Sequence, residues 1–141
     1  MTTSKLRLYW EQYEAVIDKA KAYLVKQISQ SLQTEVRHLV ETLSLTDWRW
    51  DCADLGDGFC EVIFTAILQQ NGSFWLASTD GEEFTVGLHD PNPNLEPLVC
   101  YLSADQIMDI PAIIDAFRKG NMSRFTKRDC ILEWIGQGTN D

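Results

Sequence analysis

The chain has 141 residues, is 45% apolar and 11% aromatic with five tryptophans, and carries 21 acidic against 12 basic side chains for a net charge of −9. That length suits a single domain, 1–141, with a real core, and the composition excludes a disordered acidic tail. The acidity argues against nucleic acid as the main partner, because such binding draws on Lys and Arg displacing counterions, and it favours a basic protein partner.

The opening residues carry no apolar leader after a basic region, and no stretch approaches the roughly 18 apolar residues of a membrane span. The expectation is therefore a cytoplasmic protein without membrane association, its four cysteines (52, 60, 100 and 130) kept as thiols.

The first segment, 1–45, is helical. Leu6, Trp10, Tyr13, Ile17, Ala20, Leu24, Ile28, Leu32, Val36, Leu39 and Leu43 recur about every 3.7 residues, one stripe of an amphipathic helix. Forty residues at a 1.5 Å rise would span about 60 Å, more than the width of such a domain. The helix should therefore bend or split near 27–34, where serines compete for backbone hydrogen bonds, or protrude and pair with a second copy as a homodimer. Tyr9, Trp10 and Tyr13 lie at the end that would protrude.

From 46 to 102 the apolar period drops to two, and Asp57-Gly58, Asn71-Gly72 and Asp80-Gly81 supply turn signals. These predict antiparallel strands at 47–54, 59–69, 73–79 and 83–89 in a meander, then a fifth at 98–102. A three-residue loop at Gly56-Asp57-Gly58 sets Cys52 opposite Val62 and puts Trp48 and Trp50 on the core face. Cys60 is then diagonal to Cys52, poorly placed for a disulfide, so both read as buried thiols. Taking Asn71-Gly72 and Asp80-Gly81 as two-residue turns joins Trp75 and Ala77 to the core. That leaves Thr65, Ile67, Phe74, Leu76, Thr85 and His89 on the opposite face as the lining of a candidate ligand pocket.

Residues 103–136 read as two short C-terminal helices. Ser103 with Gln106 has a capping-box pattern, Pro111 suits the first turn of a helix over 111–119 closed by Gly120, and Cys130, Ile131, Trp134 and Ile135 form the stripe of a last helix over 124–135. Residues 137–141 are a tail. The fold class is α+β: a long N-terminal helix, bent or split, on a four- to five-stranded antiparallel meander, followed by two short helices.

Residues 51–60, "DCADLGDGFC", hold three aspartates and two cysteines, but their spacing matches neither a calcium loop nor a zinc chelate, so no metal and no cofactor are expected. His89 is the one weak candidate for a general base. No nucleophile elbow, phosphate-binding loop or dinucleotide fingerprint occurs. Between 47 and 117 there are thirteen acidic residues and one basic residue, Arg49. Asp54, Asp57, Asp80, Glu82 and Glu83 cluster at the hairpin tips and are the candidate partner-binding residues. Arg118, Lys119, Arg124, Lys127 and Arg128, in a segment with no acid, are a candidate anion contact. The reading is a non-enzymatic adaptor or immunity-type inhibitor for a basic protein, with a small-ligand binder or unfamiliar enzyme on the second sheet face as its rival.

Overall fold

The computed structural model describes residues 2–56, 59–69, 72–129 and 131–136, and of residues 2–10, 13 and 59 the backbone alone. The turn residues Asp57, Gly58 and Asn71, Cys130, the 137–141 tail and the side chains of Tyr9, Trp10 and Tyr13 lie outside that description.

The amphipathic stripe folds as two helices, α1 (Thr2–Ser31) and α2 (Gln33–Thr42), meeting at Leu32. Serine chemistry marks the junction: Ser29 Oγ donates to the Lys26 carbonyl at 3.1 Å and Ser31 Oγ to the Ile28 carbonyl at 2.9 Å. Such bonds to the preceding turn bend a helix. Among the described side chains of α1, the buried ones lie near its C-terminal end. Ile28 and Leu32 are buried, whereas residues 11–20 are exposed apart from the half-buried Ile17 and the undescribed Tyr13 side chain. Among the described residues, no helix is long and apolar enough to cross a membrane.

Among the described residues seven strands follow rather than four or five: β1 (Thr46–Gly56), β2 (Phe59–Leu68), β3 (Gly72–Ser78), β4 (Glu83–His89), β5 (Leu98–Ser103), β6 (Phe125–Arg128) and β7 (Ile131–Trp134). They form one sheet in the order β1-β2-β3-β4-β5-β7-β6, antiparallel except where β7 joins β5. Cys52 stands opposite Val62, the register that Gly56-Asp57-Gly58 predicts.

The next two registers correct the expectation. Leu68 faces Gly72 and Ala66 faces Phe74, three residues from the predicted pairing, and Ala77 faces Thr85, one residue away. Each odd shift reverses the faces, so β3 alone is inverted. Phe74 and Leu76 are buried in the core, while Trp75 moves to the opposite face. Gly72 is a strand residue held by close packing, since a Cβ there would lie 3.1 Å from Leu68 Cβ and 3.2 Å from the His89 carbonyl. Asp80-Gly81 belongs to a longer loop, in which Ser78 Oγ accepts the Gly81 N–H at 2.8 Å and donates to the Glu83 carbonyl at 2.8 Å.

After β5, a 3₁₀ turn over Ala104–Asp109 leads into α3 (Ile110–Arg118). The Ser103 N–H donates to Gln106 Oε1 at 2.9 Å, and Gly120, at φ +70°, follows the helix. The predicted last helix is instead the hairpin β6–β7. Its two chain segments are only four residues each, too short for helical and extended spacing to be told apart. What decides is tertiary: Trp134 packs edge-on to Phe125 at 5.2 Å, donates its indole N–H to Asp109 Oδ2 at 3.2 Å, and accepts a bond from Gln106 at its carbonyl.

Ile28, Leu32, Val36, Leu39, Ile107, Ile110, Ile113 and Ile114 join the buried apolar even-numbered residues of β2, β3, β4 and β5 in one cluster. The helices thus share one face of the sheet. Helix α3 does not cover the other face, where Thr65, Trp75, Thr85 and Tyr101 are half-buried and Ile67 is 39% exposed.

Candidate functional site

The first strand of the sheet is also its edge: among the described residues no strand pairs with the outer side of β1. An edge strand offers unpaired N–H and C=O groups to another chain. Near its start the register slips between Thr46 and Arg49, where Asp47 takes φ +49°. Within this bulge Trp48 stacks on Phe64 at 6.0 Å, and beyond it Trp50 meets the same ring edge-on at 5.2 Å. Both indoles lie on the core side, as the alternation predicts, yet Trp48 remains 52% exposed.

The space left between these indoles and α2 is a groove of about 310 Å³. Val36, Val40, Trp48 and Trp50 give it an apolar floor, and Ser29, Gln33, Arg37 and Glu41 a polar rim. An apolar slot beside an open strand edge can take an extended segment, with backbone bonds for affinity and alternate side chains for selectivity. Strand alternation alone does not show this groove, because it assigns both tryptophans wholly to the core face. The available signal was that two indoles crowd the outermost strand, where a helix can cover only one side.

The candidate acidic residues fall together by topology. The β1–β2 and β3–β4 connections lie at one end of the meander, which brings Asp54 to the same end as Asp80, Glu82 and Glu83. They are not equivalent. Asp54 accepts the Gly56 N–H at 2.9 Å and approaches Lys21 Nζ at 3.7 Å. Asp80 Oδ1 accepts the N–H groups of Glu82 and Glu83 at 2.9 and 3.0 Å, and these bonds hold its carboxyl below the usual range. Glu82 and Glu83 are exposed, with side chains directed outward from a turn that Asp80 fixes. Asp57 lies outside the described residues.

The proposed ligand pocket is not assembled. Phe74 and Leu76 are 1% and 2% exposed on the core face, which leaves Thr65, Ile67, Thr85 and His89 on the other. Among the described residues no ion pair joins His89 to a carboxylate, and Asp90 pairs with Arg118 at 2.8 Å.

The basic candidates are likewise dispersed. Arg118 pairs with Asp90 and Lys119 with Asp115 at 3.0 Å, both near the end of α3. Arg124 lies 6.0 Å over the Trp134 ring, and Arg128 sits 5.1 Å over Tyr101 and 3.8 Å from Glu133. Lys127 is exposed on β6. Four of the five cations are thus engaged within the molecule, two at the end of α3 and two around the β6–β7 hairpin. Among the described residues no three His, Cys, Asp or Glu side chains gather as a metal site.

Comparison of the chain with protein-family models, with curated proteins and with solved structures finds no match in any of the three.

Proposed function

We propose that the chain is an acidic protein-binding module, an adaptor or an immunity-type inhibitor, that takes an extended basic segment of its partner along β1. The observation that supports this reading most is the course of that one strand. Among the described residues it is unpaired along its outer side, it borders the Trp48–Trp50 groove in its first half, and it carries Asp54 toward the end of the meander where the acidic tips lie. Net charge steers a basic partner, and the indoles supply apolar anchors of the kind that dominate interface energy. Co-purification from the native host at low salt tests it. One stoichiometric basic protein should be recovered by the wild type and lost with Glu82→Lys/Glu83→Lys or with Trp48→Ala.

A second reading concerns self-association. Val16 and Tyr23 are 65% and 63% exposed on α1, whose 30 residues extend about 45 Å at a 1.5 Å rise. This outlying apolar surface favours pairing with α1 of a second copy, which light scattering would detect as a doubled mass.

A further inference from the structure

Cys52 and Cys60 occupy diagonal positions across β1 and β2. Cys52 stands opposite Val62 and Asp54 opposite Cys60, so the thiols are offset by two residues on one face of the ladder. An untwisted diagonal is too long for a disulfide, but right-handed twist shortens one of the two diagonals, and a bulge increases the twist locally. Such a slip in register lies between Asp54 and Gly56, beside this pair. The two thiols are close enough that Cys60, after burial, helps to raise the pKa of Cys52.

Their surroundings separate them from a structural core thiol. Both are free and half-exposed, whereas Cys100 is fully buried and burial pushes its thiol up to about 12. Burial and the neighbouring Cys60 raise the pKa of Cys52, and Lys21 reaches Asp54 at 3.7 Å beside the pair. Because β1 is paired on one side only, it can shift toward β2 without breaking a second ladder.

We propose that Cys52 and Cys60 form a reversible intramolecular disulfide by exchange with a low-molecular-weight disulfide such as oxidised glutathione. The Cys60 thiolate attacks one sulfur of the small disulfide, forming a mixed disulfide and releasing one thiolate. Cys52, held protonated by burial and by the Cys60 thiol beside it, is the resolving partner. It loses its proton to water and attacks the Cys60 sulfur, releasing the second small thiolate. The protein dithiol is oxidised by two electrons, the small disulfide is reduced to two thiols, and the released protons are taken up by them. In a reducing compartment such a bond forms transiently, as redox-sensing disulfides do.

The test exposes the full chain to a series of reduced-to-oxidised glutathione ratios under native conditions, followed by acid quenching, alkylation and peptide mass mapping. A Cys52–Cys60 cross-link that loses both alkylation sites together and reverts with dithiothreitol is the expected result. Cys52→Ser should trap a stable glutathione adduct at Cys60, with circular dichroism unchanged. Persistent mixed disulfides in the wild type, a bond from either residue to Cys130, or an intermolecular dimer would each overturn the assignment.

Discussion

The indole of Trp75 lies directly over Gly87: a Cβ on Gly87 would come within 2.0 Å of Trp75 Cε2 and 2.1 Å of Nε1. This contact crosses β3 and β4 on the face away from the helices, where Trp75 and Gly87 are paired in register. It explains a glycine inside a strand, a position where glycine otherwise costs stability. Gly87→Ala must displace the ring, and we expect a loss of about 1–3 kcal/mol in urea unfolding, typical of overpacking. In a Trp75→Ala background the same substitution should cost at least about 1 kcal/mol less, the coupling expected of residues in contact.

Phe64 is the hub of the aromatic group beside the groove. It is fully buried and touches Trp48, Trp50 and, at 6.3 Å, Phe74. Phe64→Ala should cost about 3–5 kcal/mol, as for other buried aromatics. Trp48→Ala, at a ring half in solvent, should cost no more than about 1 kcal/mol. Denaturant midpoints of the two variants check both expectations, and the mildness of the second makes Trp48 usable as a binding probe.

Asp80 predicts a pH dependence. The N–H groups of Glu82 and Glu83 lower its carboxyl from an unfolded value of 3.8. A folded value below the unfolded one stabilises the protein fully above about 3.8, and that contribution is lost as pH falls through the folded value. Asp80→Ala should therefore be destabilised at neutral pH. Its deficit relative to wild type should shrink progressively below about pH 4 in thermal unfolding. A deficit that stays constant down to the acid limit would place the effect elsewhere.

Much of the fold is legible in the sequence, and the misreadings are specific. The break in the N-terminal helix falls where Ser29 and Ser31 divert the backbone, and the pairing of Cys52 with Val62 follows from placing both tryptophans on one face. The segment GSFWLAS of β3 defeats such an argument, because Phe74 and Leu76 are as apolar as Trp75 and Ala77, and only the exact turns decide which pair goes inward. The hairpin β6–β7 was hidden for another reason: its strands are fixed by distant partners, Asp109 and Gln106 to Trp134, that local periodicity cannot express. The acidic tips were readable from composition and turn chemistry. The groove was not, since it depends on how far α2 covers the edge strand.

The exposed stripe of α1 gives a further expectation. Val16→Lys, at a side chain 65% exposed on α1, should change stability by no more than about 0.5 kcal/mol. If two copies pair through this helix, the same substitution should halve the mass measured by light scattering. A dimer that survives it would place the contact on another surface.

The central claim, that β1 with its groove and acidic tip holds a basic partner, is tested most directly by hydrogen exchange of the chain with and without the protein recovered at low salt. Amide protection on binding should concentrate on residues 46–56, with Trp48 fluorescence shifting in step, and Glu82→Lys/Glu83→Lys should abolish both. Protection confined to the open face around Ile67 and Trp75, or binding unchanged by the charge reversal, would contradict it.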